Sequence, residues 1–480
     1  MTKIEMSGNI ITVTPPHEAL LADKLSYYHR KTTMGFGRRP AVEVEYVSLY
    51  SIKGTSLVAM AGLLPRIQSV LDEAKVEYSV TNHNTKLLTP DFESLTRSMA
   101  GVSFRFRQDD IIAHLMVLSR GVIVAPTGFG KTFLELVLCG LYPKANIVIA
   151  VPGRALVKDT HGRLAAVFPD VGLVMGGVYS PARVTVTTYD SILKTPVHKC
   201  DILLVDECHK AAAPQMAAAL AKISEPTKVF GFTASPEGRS DGAELVTESL
   251  IGPVVYRVKY DAAAEAGIVS NIKVVALSLP DTACPMFSHK VRTTVAKKRW
   301  CYWLNSRRNR LFALAIPKLA EKYELGEDPQ VLVLVDTLAH AVALKKHLPD
   351  YELMYSSGSS AQIADYSEDL PEGTVALTEA KRAEMLANFS DGTLRKVIAT
   401  GCWGTGVDFK FLDILVYASG APGSITATQW PGRNSRKYEG KKFGLVVDCD
   451  DKFDPWAVQR ASSRFRCYKK NGWEVIETKL

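Results

Sequence analysis

The sequence predicts an α/β protein with two tandem parallel-sheet domains, preceded by a small α+β accessory domain at the N-terminus. From about residue 100 onward, short apolar segments rich in β-branched residues alternate with helical segments, as in GVIVA (121–125) and DILLV (201–205). Continuous apolar strands that alternate with helices indicate a parallel sheet covered on both faces. The pattern starts again with a helical segment near 304–323 and the strand VLVLV (331–335). Two such sheets are therefore expected.

Three regions follow from this pattern: an accessory domain over 1–98, a first α/β domain over 99–280 and a second over 281–480. In the first region, VEVEYVSLYSI (42–52) alternates like an exposed strand, and LLPRIQSVLDEAKVEYSV (63–80) has the pattern of a helix followed by a strand. This region has no catalytic motif of its own, so we expect it to be an accessory domain.

The composition excludes several classes of protein. The chain is 47% hydrophobic and 22% charged, as is usual for a globular protein. No apolar run approaches the roughly 20 residues that cross a bilayer, and the first residues lack a signal-peptide pattern. We therefore expect no membrane partner and a cytoplasmic location. No two of the 8 cysteines have the spacing of a zinc ribbon, which favours reduced thiols.

Basic residues concentrate in two places. Residues 282–320 contain many lysines and arginines and no acid, with Trp300, Tyr302 and Trp303 interleaved. Such a mixture suits phosphates and stacked bases, but it equally fits a solvated helix face whose aromatic residues pack inward. The string KTTMGFGRRP (31–40) could likewise contact phosphates or form a surface loop.

The strongest signal is APTGFGKT at 125–132, between an apolar strand and an apolar helix. This context is that of a phosphate-binding loop, in which glycines let backbone N–H groups approach the phosphates at a helix N-terminus. Lys131 would reach the β- and γ-phosphates, and Thr132 would ligate Mg²⁺. The loop therefore predicts an ATP site with Mg²⁺, and its expected contacts are Thr127, Gly128, Gly130, Lys131 and Thr132.

A second motif, DILLVDECHK (201–210), completes the predicted ATP site. An apolar strand ends at Asp206, whose carboxylate can hold the Mg²⁺ shell. The next acid, Glu207, can orient and deprotonate the attacking water. His209 lies where it could link the phosphate site to neighbouring loops.

The DECH sequence resembles the DEAD/DEAH box of superfamily 2 helicases, and further motifs of that family follow in order over 104–437. Gln108 in FRFRQDD resembles the glutamine that reads adenine. VPGRALV (151–157) and VTVTTYDSI (184–192) resemble the DNA-facing loops Ia and Ic, for which the resemblance implies contacts from Arg154, Thr188 and Tyr189. FTASPEGRSDG (232–242) resembles motif III, where Thr233 and Ser235 would couple hydrolysis to domain movement.

The second domain shows the remaining motifs of this family. VLVLVDTLAHA (331–341) resembles motif IV, and ATGCWGTGVDF (399–409) resembles motif V, in which Thr405 would face nucleic acid and Asp408 the nucleotide. QWPGRNSR (429–436) resembles motif VI, although Trp430 replaces the family's first arginine. Arg433 and Arg436 keep the expected spacing, and the resemblance favours Arg436 as the arginine finger.

The resemblance implies two RecA-like domains that bind ATP between them and step along nucleic acid through contacts mainly to phosphate, with low sequence preference. The segment after motif III resembles the ResIII-like branch, and the length and N-terminal domain resemble phage UvsW-type proteins, which remodel branched DNA. We therefore expect an ATP-dependent DNA helicase or translocase on forked or branched DNA, in fork regression or branch migration during replication, recombination or repair, acting as a monomer. The N-terminal domain would then bind DNA, and the location would be the host cytoplasm if a phage encodes the chain. An RNA helicase, a restriction-enzyme motor subunit and a nucleotide-gated DNA clamp without movement remain alternatives.

Overall fold

The computed structural model describes residues 1–34, 40–83, 86–197, 199–224, 226–235, 243–279, 293–355, 377–403, 409–421, 430–438 and 440–478. The chain divides into two compact units, 1–125 with 130–258, and 126–129 with 259–480. The predicted fold class is confirmed: two parallel RecA-like sheets follow a small α+β region. None of the helices in this described part combines the length and the apolar character needed to cross a membrane.

The first unit begins with a five-stranded sheet in the order β5-β6-β2-β1-β7 and a separate two-stranded ribbon, β3-β4. Alternate residues of the first strand, such as Ile4 and Met6, are buried, and the second helix covers them with Ile67 and Leu71. The elements are β1 (Thr2–Ser7), β2 (Ile10–Thr14), α1 (Glu18–Leu21), β3 (Ser26–Met34), β4 (Pro40–Ser48), β5 (Tyr50–Lys53), β6 (Ser56–Met60), α2 (Leu64–Glu73) and β7 (Tyr78–Asn82). The single strand predicted over 42–52 is in fact divided between the ribbon and the sheet.

The first RecA-like sheet has eight strands in the order β11-β10-β12-β9-β13-β14-β8-β15. Its strands are parallel except β11, and the central ones are buried along their whole length because helices cover both faces. The elements are α3 (Phe92–Ser98), α4 (Gln108–Val117), β8 (Arg120–Val124), α5 (Lys131–Leu141), β9 (Ile147–Val151), α6 (Arg154–Ala165), β10 (Val171–Met175), β11 (Val178–Ser180), β12 (Val184–Thr188), α7 (Tyr189–Lys194), β13 (Ile202–Asp206), α8 (Pro214–Ala221), β14 (Lys228–Thr233), α9 (Glu244–Ile251) and β15 (Val254–Arg257).

The second unit contains a seven-stranded parallel sheet in the order β18-β19-β17-β20-β21-β16-β22. Its elements are α10 (Tyr260–Glu265), β16 (Ile272–Leu279), α11 (Thr294–Lys298), a π-helical turn (Arg299–Trp303), α12 (Ser306–Lys322), β17 (Val331–Leu334), α13 (Leu338–Lys345), β18 (Glu352–Met354), α14 (Glu379–Asp391), β19 (Lys396–Ala399), β20 (Ile414–Tyr417), β21 (Gly444–Asp451), α15 (Pro455–Lys470) and β22 (Glu474–Thr478).

Strand β16 corrects one expectation. It precedes the boundary expected at residue 280, yet it pairs with β21 and β22 of the second sheet. The boundary between the two α/β domains therefore lies before Ile272. An apolar strand pattern shows that a strand is buried but does not show which sheet it joins. The boundary expected at residue 98 stays a prediction.

The N-terminal sheet region packs against the first RecA-like sheet region within the first unit. A Cβ atom at Gly62 would lie 2.1 Å from the backbone oxygen of Glu248 on α9, so the two backbones approach as closely as glycine allows. Arg66 on α2 forms an ion pair with the same glutamate at 2.6 Å. The Asn9 side chain donates to the Ile223 carbonyl at 2.5 Å. Backbone contact, charge and hydrogen bonding thus hold this region in one place.

Candidate nucleotide and nucleic-acid sites

The predicted phosphate loop connects β8 to α5. Gly128 and Gly130 have φ angles of +84° and +102°, a backbone region that favours glycine. Lys131 begins α5, and its Nζ donates to the Ala125 carbonyl at 3.3 Å. The loop therefore has the glycine-dependent backbone and the lysine position that phosphate binding requires, at a helix N-terminus.

Gln108 lies beside this loop, as the sequence predicts for a residue near the nucleotide. It is buried at the start of α4, and its Oε1 accepts a hydrogen bond from the Arg105 backbone N–H at 2.8 Å. A Cβ atom at Gly130 would lie 2.8 Å from Nε2 of Gln108. Glycine is therefore required at that position both for its φ angle and for the approach of the amide.

The two predicted acids stand at the carboxyl end of β13. The Glu207 backbone N–H donates to Oδ1 of Asp206 at 2.8 Å. Glu207 has φ of 48°, a left-handed conformation that is strained for a residue with a side chain and that recurs at functional sites. Burial raises the pKa of Asp206 to about 7, and the charge of Glu207 adds to this effect. This excess of negative charge marks a place where a cation is favoured.

These residues fit the Mg²⁺ ion that ATP hydrolysis uses. A carboxylate from Asp206 and a hydroxyl from Thr132 are hard oxygen donors, and Mg²⁺ is usually held by one or two such groups together with water and phosphate oxygens. In the described part of the chain, no group of three or more His, Cys, Asp or Glu forms a metal cluster. The donor set therefore suits an ion bound together with a nucleotide.

Glu207 is connected to motif III by a chain of polar contacts. Nδ1 of His209 lies 3.3 Å from Oε2 of Glu207 and 3.1 Å from Oγ1 of Thr233. The Ser235 backbone N–H donates to the same threonine oxygen at 3.1 Å. Burial alone would raise the pKa of Glu207, but the hydrogen bond with His209 and the charge of Lys131 lower it to about 2. The three residues that were expected to couple the motifs thus form a chain of contacts from Glu207 through His209 and Thr233 to Ser235.

Sequence analysis missed a third acid at this site, Glu135. It is fully buried, and among the described residues neither of its carboxyl oxygens has a hydrogen-bond partner. Burial raises its pKa well above the usual range, the charge of Asp206 raises it further, and Lys131 acts in the opposite direction. The available signal was an acid within an apolar helix, four residues after Lys131 and hence on the same helix face.

The residues expected to contact nucleic acid in the first unit line one cleft of about 640 Å³. Arg154 is exposed at the start of α6, and Thr188 caps the N-terminus of α7 by accepting from the Ser191 backbone at 3.2 Å. Lys194, which sequence analysis did not single out, also lines the cleft. Tyr189 is only 2% exposed and donates to the Asp206 carbonyl at 3.3 Å, so its geometry favours a positioning role over the expected direct contact.

The motif VI loop of the second unit is fixed by its neighbours. Arg433 and Arg436 flank a short turn that is held by Asn434, whose Nδ2 donates to the Leu445 carbonyl at 2.8 Å. Trp430, which replaces the motif's first arginine, is buried with its ring 5.4 Å from that of Tyr417, so it serves the core. Residues Thr405 and Asp408, as well as 236–242 of motif III, lie outside the described residues.

The phosphate loop after β8 and the two acids at the end of β13 give the first unit the nucleotide site of an ATP-driven superfamily 2 helicase. The second RecA-like unit carries the paired arginines of motif VI. Residues 102–238 match the ResIII family, described as "Type III restriction enzyme, res subunit". This match agrees with the predicted resemblance to the ResIII-like branch.

Two curated relatives show how far the likeness extends in sequence. The DNA 3'-5' translocase XPB2 of Sulfurisphaera tokodaii is 26% identical over 368 residues, which cover 72% of this chain and 81% of that protein. The ATP-dependent RNA helicase rok1 of Aspergillus clavatus is 25% identical over 171 residues, or 36% of this chain and 21% of that protein. The second likeness is therefore confined to part of each protein.

Solved structures share the fold. A fragment assigned to an HsdR subunit of a type I restriction enzyme from Vibrio vulnificus has a TM-score of 0.56 and 16% identity, and covers 95% of this chain and 92% of its own. The structure of T4 UvsW aligns over 100% of this chain and 99% of its own at 17% identity, with a TM-score of 0.43.

Proposed function

We propose that this chain is an ATP-dependent DNA helicase or translocase that acts on branched DNA, in fork regression or branch migration. The observation that supports a motor most directly is a contact between the proposed nucleic-acid cleft and the proposed ATP site. Tyr189 lines the same cleft as Arg154 and donates a hydrogen bond to the backbone of Asp206 at 3.3 Å. A DNA strand that moves in the cleft would therefore act, through Tyr189, on the carboxyl end of β13, where Asp206 and Glu207 lie.

In this proposal each site residue has a stated role. Gln108, Thr127, Gly128, Gly130 and Asp408 contact the nucleotide, and Lys131 neutralises the β- and γ-phosphates. Thr132 and Asp206 hold Mg²⁺, which when bound offsets charge on the phosphates. Glu207, kept ionised by His209, accepts the proton of the attacking water. Arg433 and Arg436 stabilise charge on the transferring phosphate. Arg154, Thr188 and Thr405 bind the nucleic-acid backbone.

DNA is the favoured substrate because the likeness to a DNA translocase extends over 72% of this chain, against 36% for the RNA helicase. A branched substrate is suggested by the ribbon β3-β4. The exposed rings of Tyr28 and Tyr46 lie 5.3 Å apart on its surface. Exposed aromatic rings are platforms on which unpaired bases stack. The side chains of the basic string 31–40 lie outside those that are described.

The test is ATP hydrolysis without nucleic acid and with single-stranded, duplex or forked DNA or RNA, for the wild type and Glu207→Gln. The expected result is strong stimulation of ATP hydrolysis by forked DNA, which the substitution abolishes. We propose that the protein acts on this DNA as a monomer in the cytoplasm. Stimulation by RNA alone would favour the RNA helicase. ATP binding without turnover would favour a clamp, in which an ionised Glu207 would have no task.

The N-terminal region has its own test. If it recognises the branch, deletion of residues 1–98 will lower fork-stimulated hydrolysis more than single-strand-stimulated hydrolysis. An equal loss of both activities would show that the region is structural.

A further inference from the structure

The basic and aromatic segment found in the sequence folds as α11, the π-helical turn and the start of α12. Part of it packs inward: Tyr302 is fully buried, with its ring 5.6 Å from that of Trp456 on α15. The Leu304 N–H donates to the Arg299 carbonyl at 2.8 Å, which is the five-residue spacing of a π-helix. Arg299, at the start of this turn, remains exposed. Single π-helical turns of this kind are frequent at functional sites.

The cations of this region fall into two groups. Lys298 and Arg308 are neutralised by Asp336 and Asp451, each at 2.9 Å, and therefore hold the fold together. By contrast, Lys297, Arg299 and Arg460 form no ion pair with any acid in the described part of the chain. The sequence also has no acid between residues 282 and 320 that could neutralise them.

Two of these cations lie beside one aromatic ring, and Arg299 follows two residues after Lys297 in the chain. The guanidinium carbon of Arg460 lies 4.3 Å from the ring centre of Trp456, and Nζ of Lys297 lies 5.9 Å from it. Burial lowers the pKa of Arg460 and the charge of Arg464 adds to this effect, while Tyr302 and Asp336 act in the opposite direction. We name Lys297, Arg299, Trp456 and Arg460 the Trp456 patch.

The Trp456 patch lies at the carboxyl ends of the strands of the second sheet. Lys298 of α11 is held by Asp336, two residues after β17 ends. Arg460 donates to the carbonyl of Gly420, three residues after β20 ends. Ligands of open parallel sheets bind at this edge. Motif V, whose Thr405 is expected to face nucleic acid, begins at the carboxyl end of β19.

We propose that Lys297, Arg299 and Arg460 bind the sugar–phosphate backbone of the nucleic acid, adding contacts that the helicase motifs do not supply. This inference rests on the proposed function. Trp456 holds Lys297 and Arg460 in place by cation–π attraction. These side chains therefore lose less conformational entropy when they bind phosphates. A polyanion is the partner that this charge requires, and the absence of acids favours backbone contacts over the reading of base edges.

The experiment measures the affinity of the full chain for single-stranded DNA at several salt concentrations. Replacing Lys297, Arg299 and Arg460 together by alanine, alanine and glutamine should lower the slope of log affinity against log salt by about 2, since each lost phosphate contact on a single strand removes about 0.7. Between 50 and 200 mM salt, that slope corresponds to a change of roughly 16-fold. ATP hydrolysis without nucleic acid should not change.

The matched control removes three cations elsewhere in the second unit, with Lys318, Lys322 and Lys346 replaced by alanine. An unchanged slope in the patch variant, or an equal fall in the control, would overturn the inference. If the triple variant does not fold, the double variant Lys297→Ala with Arg299→Ala should lower the slope by about 1.4. Wild-type protein that binds no nucleic acid would instead refute the proposed function itself.

Discussion

At the scale of single residues, Asp206 and Glu207 are neighbours with opposite pKa shifts, because only Glu207 has a hydrogen bond with His209. The pKa of Asp206 is raised to about 7 by burial first. The affinity for Mg²⁺ with nucleotide should therefore rise with pH up to about 7 and then level off, since binding must release the proton. Titration of Mg²⁺ against a fluorescent ADP analogue from pH 5.5 to 8.5 measures this.

The free energy of unfolding depends on pH in the opposite direction to the Mg²⁺ affinity. The folded state binds more protons than the unfolded chain between the ordinary pKa of about 3.9 and the raised value, so Asp206 lowers the stability of the nucleotide-free protein as pH rises through that window. Asp206→Asn should remove both pH dependences. An Mg²⁺ affinity that is constant across the range would contradict the raised pKa.

Glu135 gives a second prediction at this scale. Replacement by methionine, of similar length, should raise the free energy of unfolding by about 1 to 3 kcal/mol, because a buried polar group without a partner carries a desolvation cost of that size. Urea unfolding without nucleotide measures it, and Glu135→Ala, which leaves a cavity, is the comparison. A loss of stability in the methionine variant would mean that water or an ion satisfies the carboxyl group.

How much of the site the sequence predicts depends on whether a residue belongs to a local pattern. Gly130, Lys131 and Asp206 lie in short motifs whose backbone geometry fixes their role, and the structure places them accordingly. Glu135 is outside every motif, and only the packing of α5 on the sheet brings it to Asp206. Tyr189 lies inside a motif, but burial, which no motif encodes, turns its hydroxyl to the Asp206 carbonyl.

At the scale of secondary structure elements, Lys228 of β14 closes the end of α4. Its ammonium donates to the carbonyls of Leu115, Met116 and Leu118 at 3.0, 2.9 and 2.6 Å. Lys228→Met should lower the free energy of unfolding by about 2 to 3 kcal/mol, since the final carbonyls of a helix need donors. Lys222→Met is the control: Lys222 is exposed and donates to a single carbonyl, so about 0.5 kcal/mol or less is expected. Equal losses in urea unfolding would show that the cap is not specific.

Strand positions in both sheets could be predicted because buried parallel strands are short, continuous apolar runs, as β9 and β13 are. The neighbours of each strand within its sheet could not be predicted in this way. Strand β16 has the same pattern as the strands before it, and its place between β21 and β22 depends on contacts with residues far along the chain. Of the ribbon β3-β4, the alternating pattern over 42–52 predicted part of β4, whereas β3 was not predicted.

At the scale of the whole molecule, the contacts that hold the N-terminal region on the first RecA-like sheet region include one approach that only glycine allows. Gly62→Val places atoms where the Glu248 carbonyl already lies, 2.1 Å from the Cβ position, and neither backbone can yield without moving α2 or α9. We expect this variant to release residues 1–82 as a separate unfolding unit, seen as an earlier transition in thermal unfolding and as faster cleavage by protease near residue 84. Gly162→Ala in α6, with no atom within 4 Å, is the control and should be neutral or slightly stabilising.

If the N-terminal region recognises branches only while docked, Gly62→Val will also lower fork-stimulated ATP hydrolysis while single-strand stimulation persists. Unchanged activity on both substrates would mean that docking has no part in recognition.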